Sequence, residues 1–154
     1  MRKNITLLAI AILGMVAFFS CKKSDNNNAN NINVNGSMTA TIGTTAFKAP
    51  YCDATVYDTL FTVTGSTSDT GITYPYIILS VTDYKGIGTY TIPGGSDRNG
   101  NVATVYYTDS TGAQSVYGTV SITAITPNIV GTFSFTCSDS TKVTNGTFSA
   151  PSPL

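Results

Sequence analysis

Eight aspartates are the only acidic side chains in this 154-residue sequence, which has no histidine. Two facing aspartates can act as the acid and base of a hydrolase, whereas serine and cysteine triads and the common metal triads need an imidazole. Most of these aspartates lie in contexts that favour turns, in which the carboxylate bonds to its own backbone: SDTG (68–71), TDYKG (82–86), SDRNG (96–100) and TDSTG (108–112). We therefore predict no enzyme and no catalytic residue, with an aspartate-dependent hydrolase as the weaker alternative.

The nine tyrosines are the second group with binding potential, since the chain has no tryptophan. Exposed aromatic rings on a β-domain can hold a glycan or a peptide, and they can equally pair with neighbours across strands. Four of them fall where they can stand on an outer face: Tyr74, Tyr76, Tyr106 and Tyr117. These four are the candidate ligand-binding residues, and cross-strand packing is the alternative.

Metal and cofactor motifs are weak. Asp97, Asn99 and Asn101 alternate like calcium ligands, but the glycine and the closing acid of such a loop are missing, and Arg98 would repel a cation. A hairpin tip explains this stretch better. The glycines at 86 and 88 precede no predicted helix, which argues against a phosphate-binding loop. We predict no metal site and no cofactor.

The N-terminus has the layout of an export signal. Positive charge at Arg2 and Lys3 precedes an apolar run over 5–19 and then Ser20, as in a secretory signal peptide, and this run is shorter than the roughly 20 residues of a transmembrane helix. Ser20-Cys21 resembles the lipobox of bacterial lipoproteins, although the phenylalanines at 18 and 19 depart from it. The resemblance implies an envelope protein anchored to a membrane by lipid on Cys21. We expect the protein to be anchored to the outer membrane, on either its periplasmic or its surface side. A soluble secreted protein is the alternative.

The predicted organisation has three parts: a signal peptide (1–20), a lipidated cysteine with a tether (21–36) and a domain (37–154). Seven of the fourteen residues over 22–35 are asparagine, a composition too polar to order itself. Without Arg2 and Lys3, six basic residues face eight acidic ones, a net charge of −2. That charge gives no basic surface for nucleic acid.

The sequence pattern of the domain predicts an all-β fold. Short alternating segments separated by turn residues predict a single antiparallel β-sandwich or small barrel of about nine strands, with no significant helix after the signal peptide. Two strands are expected around Met38 and Phe47, and the others over 54–64, 74–82, 88–92, 102–108, 116–125, 129–137 and 142–149. In the last third, apolar residues alternate with threonine and serine, which predicts one dry and one wet face.

Several segments carry a family resemblance. MTATIGTTAFKA near the start, GTYTI (88–92), YGTVSITAI (117–125), GTFSFT (131–136) and VTNGTFS (143–149) resemble a group of small lipoproteins of Bacteroidota whose domain has no assigned function. These motifs describe β-hairpins, so the resemblance implies a fold and a compartment and no catalysis.

Three short sequences also resemble the acceptor motif for O-linked glycans in exported Bacteroidota proteins. They are Asp58-Thr59-Leu60, Asp109-Ser110-Thr111 and Asp139-Ser140-Thr141. The resemblance marks Thr59, Ser110 and Ser140 as candidate, exposed glycosylation sites, with chance matches as the alternative.

The lipobox implies that Cys21 carries the lipid. Cys52 and Cys137 then remain as a pair of cysteines outside the cytosol, where disulfides form. Each lies in phase with apolar residues of its own predicted strand, so both are expected to point into the core. We predict a disulfide between them, worth about 4.5 kcal/mol in the chain-entropy model. Two separate buried thiols are the alternative, and zinc lacks the remaining ligands.

Overall fold

Short antiparallel strands make up the regular structure of the domain. The computed structural model describes residues 36–68, 73–93, 100–107 and 111–153, which belong to one compact unit, Ile32–Leu154. The strands are β1 (Ser37–Ile42), β2 (Thr45–Ala49), β3 (Tyr51–Tyr57), β4 (Leu60–Ser66), β5 (Tyr76–Val81), β6 (Gly88–Ile92), β7 (Val102–Tyr106), β8 (Gly112–Ala124), β9 (Asn128–Cys137) and β10 (Lys142–Pro151). The described residues contain no helix that could cross a lipid bilayer. The all-β prediction is confirmed.

The strands form one antiparallel sheet in the order β2-β1-β10-β9-β8-β7-β5-β4-β3, and β6 adds to β8. One edge of β8 is shared, because its first residues pair with β7 and its later residues with β6. We call half A the part formed by β2, β1, β10, β9, β6 and the later part of β8. Half B contains β3, β4, β5, β7 and the first part of β8. β3, at one end of the order, packs against β10 and β1 near the other end, so the sheet is nearly closed and barrel-like.

Along β8 the neighbouring strand changes from β7 to β6, and at this point side chains form hydrogen bonds with backbone groups. The Asn101 side-chain oxygen accepts a hydrogen bond from the Thr82 N–H (3.0 Å), and its NH₂ group donates to the Thr91 carbonyl (2.9 Å). The hydroxyl of Ser115 accepts from the Ala103 N–H at 2.9 Å. Buried backbone groups left unpaired are costly, and the bond to the Ala103 N–H is buried. Asn101 and Ser115 therefore supply partners for backbone groups at the junction between half B and half A.

Phenylalanines connect the two halves inside the domain. The rings of Phe61 in half B and Phe148 in half A lie 6.4 Å apart, and Phe148 is again 6.4 Å from Phe133. Phe148 and Phe133 each lie over a cross-strand glycine, Gly131 and Gly146. A Cβ would come within 2.4 Å of the Phe148 ring at Gly131 and within 2.5 Å of the Phe133 ring at Gly146. The GTFSFT and NGTFS motifs therefore build a closely packed hairpin, β9–β10.

Two predicted strand boundaries are wrong. The segment 54–64 is not one strand, since β3 and β4 are separated at Asp58 and Thr59, and Asp58 adopts a left-handed φ of 53°. Aspartate tolerates that conformation better than most residues, and so a hairpin forms without a glycine. β8 begins at Gly112 rather than at 116, and its pairing with β9 shifts between Ser115 and Tyr117. The alternation resumes beyond this bulge, where Val120 and Ile122 are buried as predicted.

Candidate ligand-binding site

Three of the four candidate tyrosines come together on the outer face of half B. The rings of Tyr76 and Tyr106 stack at 4.4 Å with an interplanar angle of 10°, and the Tyr74 ring lies 5.3 Å from that of Tyr76. Tyr76 and Tyr106 are direct cross-strand partners on β5 and β7, and their strand neighbours Ile77 and Val105 point into the core. Strand register therefore creates this cluster, which we call the tyrosine stack.

The tyrosine stack is largely closed. Tyr76 is only 7% exposed although it points outward, whereas Tyr74 is 39% exposed. Tyr106 also covers Gly112, where a Cβ would come within 2.8 Å of the Tyr106 ring. Burial, followed by the charges of its two tyrosine neighbours, raises the pKa of Tyr76. Most of the ring surface in the stack is thus used by packing, as the cross-strand alternative predicted.

Tyr117 lies apart from the stack and borders an open cleft of about 260 Å³ on half A. The cleft spans three neighbouring strands, β8, β9 and β10. Its lining consists of Tyr117, Gly118, Ser134, Phe135, Thr136, Lys142, Val143 and Thr144. Tyr117 is 56% exposed, so this ring keeps free surface. We call this feature the Tyr117 cleft.

The register of the three strands explains the cleft. Thr136 on β9 pairs with Tyr117 on one side and with Lys142 on the other. Neighbouring strands are about 4.8 Å apart, so the Tyr117 and Lys142 Cα atoms are separated by about 10 Å. Phe133, Phe135 and Cys137 point inward, so Ser134 and Thr136 share the outer face of β9. Ser134 and Thr136 form the floor of the cleft, with Tyr117 of β8 as one wall and Lys142 of β10 as the other.

Irregular pairing flanks the cleft on both sides. The β8 register shifts between Ser115 and Tyr117, and the β10 register shifts between Val143 and Gly146, where Asn145 has a φ of 52°. Bulges bend a strand and change the direction of side chains. The Asn145-Gly146 dipeptide was the one sequence signal for this irregularity. Lys142 and the hydroxyl residues of the cleft were not predicted as ligand-binding residues, because pairing between strands is what brings them together.

The groups of the Tyr117 cleft suit a hydroxylated ligand. An exposed aromatic ring offers a flat apolar surface for a sugar, hydroxyls of Ser134, Thr136 and Thr144 can donate and accept hydrogen bonds, and the Lys142 amine donates with a positive charge. No aspartate occurs in this lining, so among described residues the cleft has no carboxylate acid or base.

The predicted disulfide between Cys52 and Cys137 is wrong. Both side chains are buried at 1% exposure, as predicted, but both thiols are free. The Cys52 carbonyl lies beside Gly36 and Ala150, and Ala150 pairs with Ile129, at the end of β9 opposite to Cys137. The stretch from Ile129 to Cys137 covers about 26 Å of extended strand, so the cysteine Cα atoms lie well beyond the ~7 Å limit for a disulfide. Burial raises the pKa of Cys52 to about 12 and that of Cys137 to about 11.

Two of the four described aspartates have local partners. Asp139 accepts a hydrogen bond from the Thr141 N–H at 2.9 Å, and Asp83 forms an ion pair with Lys85 at 2.8 Å. Asp58 lies in the β3–β4 hairpin and Asp53 on β3. No group of three or more potential metal-ligating side chains occurs within the described ranges. Asp97 and Asn99 lie outside the described residues.

Two of the three candidate glycosylation sites are exposed. Thr59 lies at the tip of the β3–β4 hairpin and Ser140 in the turn between β9 and β10. Ser140 has a left-handed φ of 69°. Ser110 lies outside the described residues, as do Cys21, the signal peptide and the predicted tether.

Comparison of the chain with protein-family models, with curated proteins and with solved structures finds no match. The resemblance to small lipoproteins of Bacteroidota stays a prediction.

Proposed function

We propose that this chain is a lipid-anchored protein of the cell envelope whose β-domain is a non-catalytic, carbohydrate-binding module. The observation that carries the binding role is the Tyr117 cleft, in which one exposed ring, three hydroxyls and an amine line the same space. A sugar needs a flat apolar surface together with several hydrogen-bonding groups, and both are present there.

The cleft supports binding rather than hydrolysis. Glycoside hydrolysis generally uses two carboxyl groups on either side of the scissile bond. The residues that line the cleft include no carboxylate, so a bound sugar would meet no general acid there. The tyrosine stack is the second aromatic surface of the domain, but Tyr76 is 7% exposed and only Tyr74 offers substantial free area.

The anchor is proposed from the sequence. Cys21 follows an export signal, and the stretch between it and the domain is rich in asparagine. A flexible coil of about 15 residues spans on the order of 20 Å, which would hold the domain close to a membrane while leaving its faces accessible. Thr59 and Ser140 are exposed enough to carry O-linked glycans.

Replacing Cys21 with serine in the native host tests the anchor. We expect the Cys21→Ser protein to leave the membrane fraction while keeping the urea midpoint of its domain, because position 21 precedes the first described strand, β1, in the sequence. Continued sedimentation with membranes would contradict lipid anchoring through this cysteine.

Calorimetric titration tests the binding role. The probes are soluble oligosaccharides of glucose, mannose, xylose and galacturonate. We expect at least one to bind, and Tyr117→Ala to weaken its binding roughly tenfold, or ~1.4 kcal/mol. Tyr57→Ala is the matched control, because Tyr57 is 82% exposed and lies on half B. Equal effects of both substitutions, or no binding by any probe, would contradict a carbohydrate site at Tyr117.

A further inference from the structure

We infer that the sugar recognised in the Tyr117 cleft is acidic, a uronate whose carboxylate pairs with Lys142. This inference rests on the proposed carbohydrate-binding function and specifies its ligand class. In this cleft a cation, hydroxyls and an exposed aromatic ring meet.

Among the described residues, no acidic side chain forms an ion pair with Lys142. Within the described ranges, the ion pair present joins Lys85 to Asp83 at 2.8 Å. The described acid closest to Lys142 along the chain is Asp139, whose Oδ1 accepts a hydrogen bond from the Thr141 N–H at 2.9 Å. No acid lines the cleft. An anion entering the cleft would therefore gain a charge-assisted hydrogen bond without displacing an internal partner.

The spacing of the two walls fits one sugar ring. Tyr117 and Lys142 lie on either side of Thr136, with Cα atoms about 10 Å apart. A pyranose ring packed on Tyr117 projects its carboxylate from the ring edge toward the opposite wall. The long, flexible lysine stem carries a compact ammonium group that can follow this carboxylate. The Ser134 and Thr144 hydroxyls remain for the ring hydroxyls.

A carboxylate matches this site better than a phosphate or a sulfate. Sites for multiply charged oxyanions usually combine arginine forks, several backbone N–H groups or a helix N-terminus. The lining of the cleft contains one lysine and no arginine, and no helix occurs among the described residues. A single ammonium pairs with a singly charged group, and the hydroxyls and the ring favour a sugar over an acidic peptide.

The inference is tested by comparing each sugar acid with its own methyl ester, which keeps the sugar and removes the charge. The probes are tetramers of galacturonate, mannuronate and glucuronate, titrated into the full mature chain by calorimetry. We expect one acid to bind about fivefold more tightly than its ester at low salt, as for an exposed ion pair of ~1 kcal/mol. The difference should shrink in 0.5 M salt because exposed charges are screened.

Three lysine variants locate the effect. Lys142→Met should abolish the preference for the acid by weakening binding of the acid more than binding of the ester, whereas Lys142→Arg should retain the preference. Lys48→Met is the matched control, since Lys48 is exposed on β2 of the same half and does not line the cleft. Urea unfolding of each variant verifies that the fold is intact.

The outcomes separate the inference from the proposed function. Equal binding of acid and ester, with both weakened by Tyr117→Ala, overturns the inference and leaves carbohydrate binding standing. The inference that the ligand is a uronate is also overturned if Lys142→Met and Lys48→Met behave alike. It is likewise overturned if a glutamate hexapeptide binds more tightly than the acid and displaces it. Failure of acids, esters and neutral oligosaccharides alike overturns both.

Discussion

In half B, Tyr74, Tyr76 and Tyr106 pack ring against ring, whereas in half A Tyr117 stands beside open space. The stacked rings of Tyr76 and Tyr106 are 4.4 Å apart, and Tyr106 also lies over Gly112. Tyr117 is 56% exposed, against 7% for Tyr76. The same residue type on the same kind of surface therefore has a structural role in one half and a free face in the other.

The difference shows that a cluster of aromatic residues is not by itself a binding surface. Rings that contact each other have already buried the apolar area that a ligand would otherwise cover. A single ring next to hydroxyls and an amine retains that area. We therefore expect the substitutions that matter for stability and those that matter for binding to fall in different halves of the sheet.

The largest expected effect is the loss of Tyr76. Tyr76→Ala removes a buried ring that contacts two others, and we expect it to lower the free energy of unfolding by about 3 kcal/mol. Tyr117→Ala removes an exposed ring and should change it by less than about 0.5 kcal/mol. Urea unfolding followed by circular dichroism measures both. Tyr76→Phe is the control that keeps the ring and should remain close to the parent protein.

The comparison would fail if Tyr117→Ala destabilised the domain as much as Tyr76→Ala does. In that case Tyr117 would be a packing residue, and the cleft would be a by-product of the bulges beside it.

Alkaline pH should act mainly through buried groups. Burial raises the pKa of Cys52 from its usual 9.0 to about 12. Above pH 9 the unfolded thiol ionises while the folded thiol stays protonated, so the unfolded state binds fewer protons and the free energy of unfolding falls. Below pH 9 this contribution is fully present, and it is lost progressively toward pH 12. From Cys52 alone we expect a loss of about 1–2 kcal/mol between pH 9 and 10.5.

Substitutions test whether buried thiols cause this loss of stability at alkaline pH. Cys52→Ala should make the decline measured by urea unfolding at a series of pH values less steep, and Cys137→Ala should do the same, because burial also raises the pKa of Cys137, to about 11. A mass measurement under non-reducing conditions should find Cys52 and Cys137 as two thiols, slow to react with a thiol reagent until the domain unfolds. A bridge between them would contradict the geometry of β9.

The sequence pattern was sufficient where one strand determines its own faces. Alternation along β9 predicted the buried side of Phe133, Phe135 and Cys137, and the structure buries all three. It failed where neighbouring strands decide the outcome. Cys52 and Cys137 both point inward, but their separation depends on how half B closes against half A, which local periodicity does not contain.

The candidate site was predictable to a similar extent. Tyr117 could be chosen from its outward phase, but Lys142 joins it only because both pair with Thr136. Neither the register nor the shift between Val143 and Gly146 follows from composition. The hairpin at Asp58 was missed for a related reason, since its left-handed residue is not glycine.

A smaller effect is expected from glycine at the edge of the tyrosine stack. Gly112→Ala places a Cβ within 2.8 Å of the Tyr106 ring, which must shift and loosen its contact with Tyr76; we expect a loss of about 1 kcal/mol. Gly88→Ala is the matched control, because its Cβ would have no atom closer than 3.9 Å. Thermal and urea unfolding distinguish the two. Equal stability of both variants would mean that the stack tolerates rearrangement.

The smallest effect on stability is expected for the hydroxyls of half A, and it sharpens the comparison most. Thr147 shares a hydrogen bond of 2.8 Å with Thr39 on the exposed face, and Thr136 lines the cleft. Valine keeps the shape and the strand preference of threonine, so Thr147→Val and Thr136→Val should each change the free energy of unfolding by about 0.5 kcal/mol or less. Only Thr136→Val should weaken sugar binding, by about fivefold in a calorimetric titration. Equal weakening by Thr147→Val would mean that the ligand lies along the whole hydroxyl face of half A, and that the Tyr117 cleft is one part of a longer binding surface.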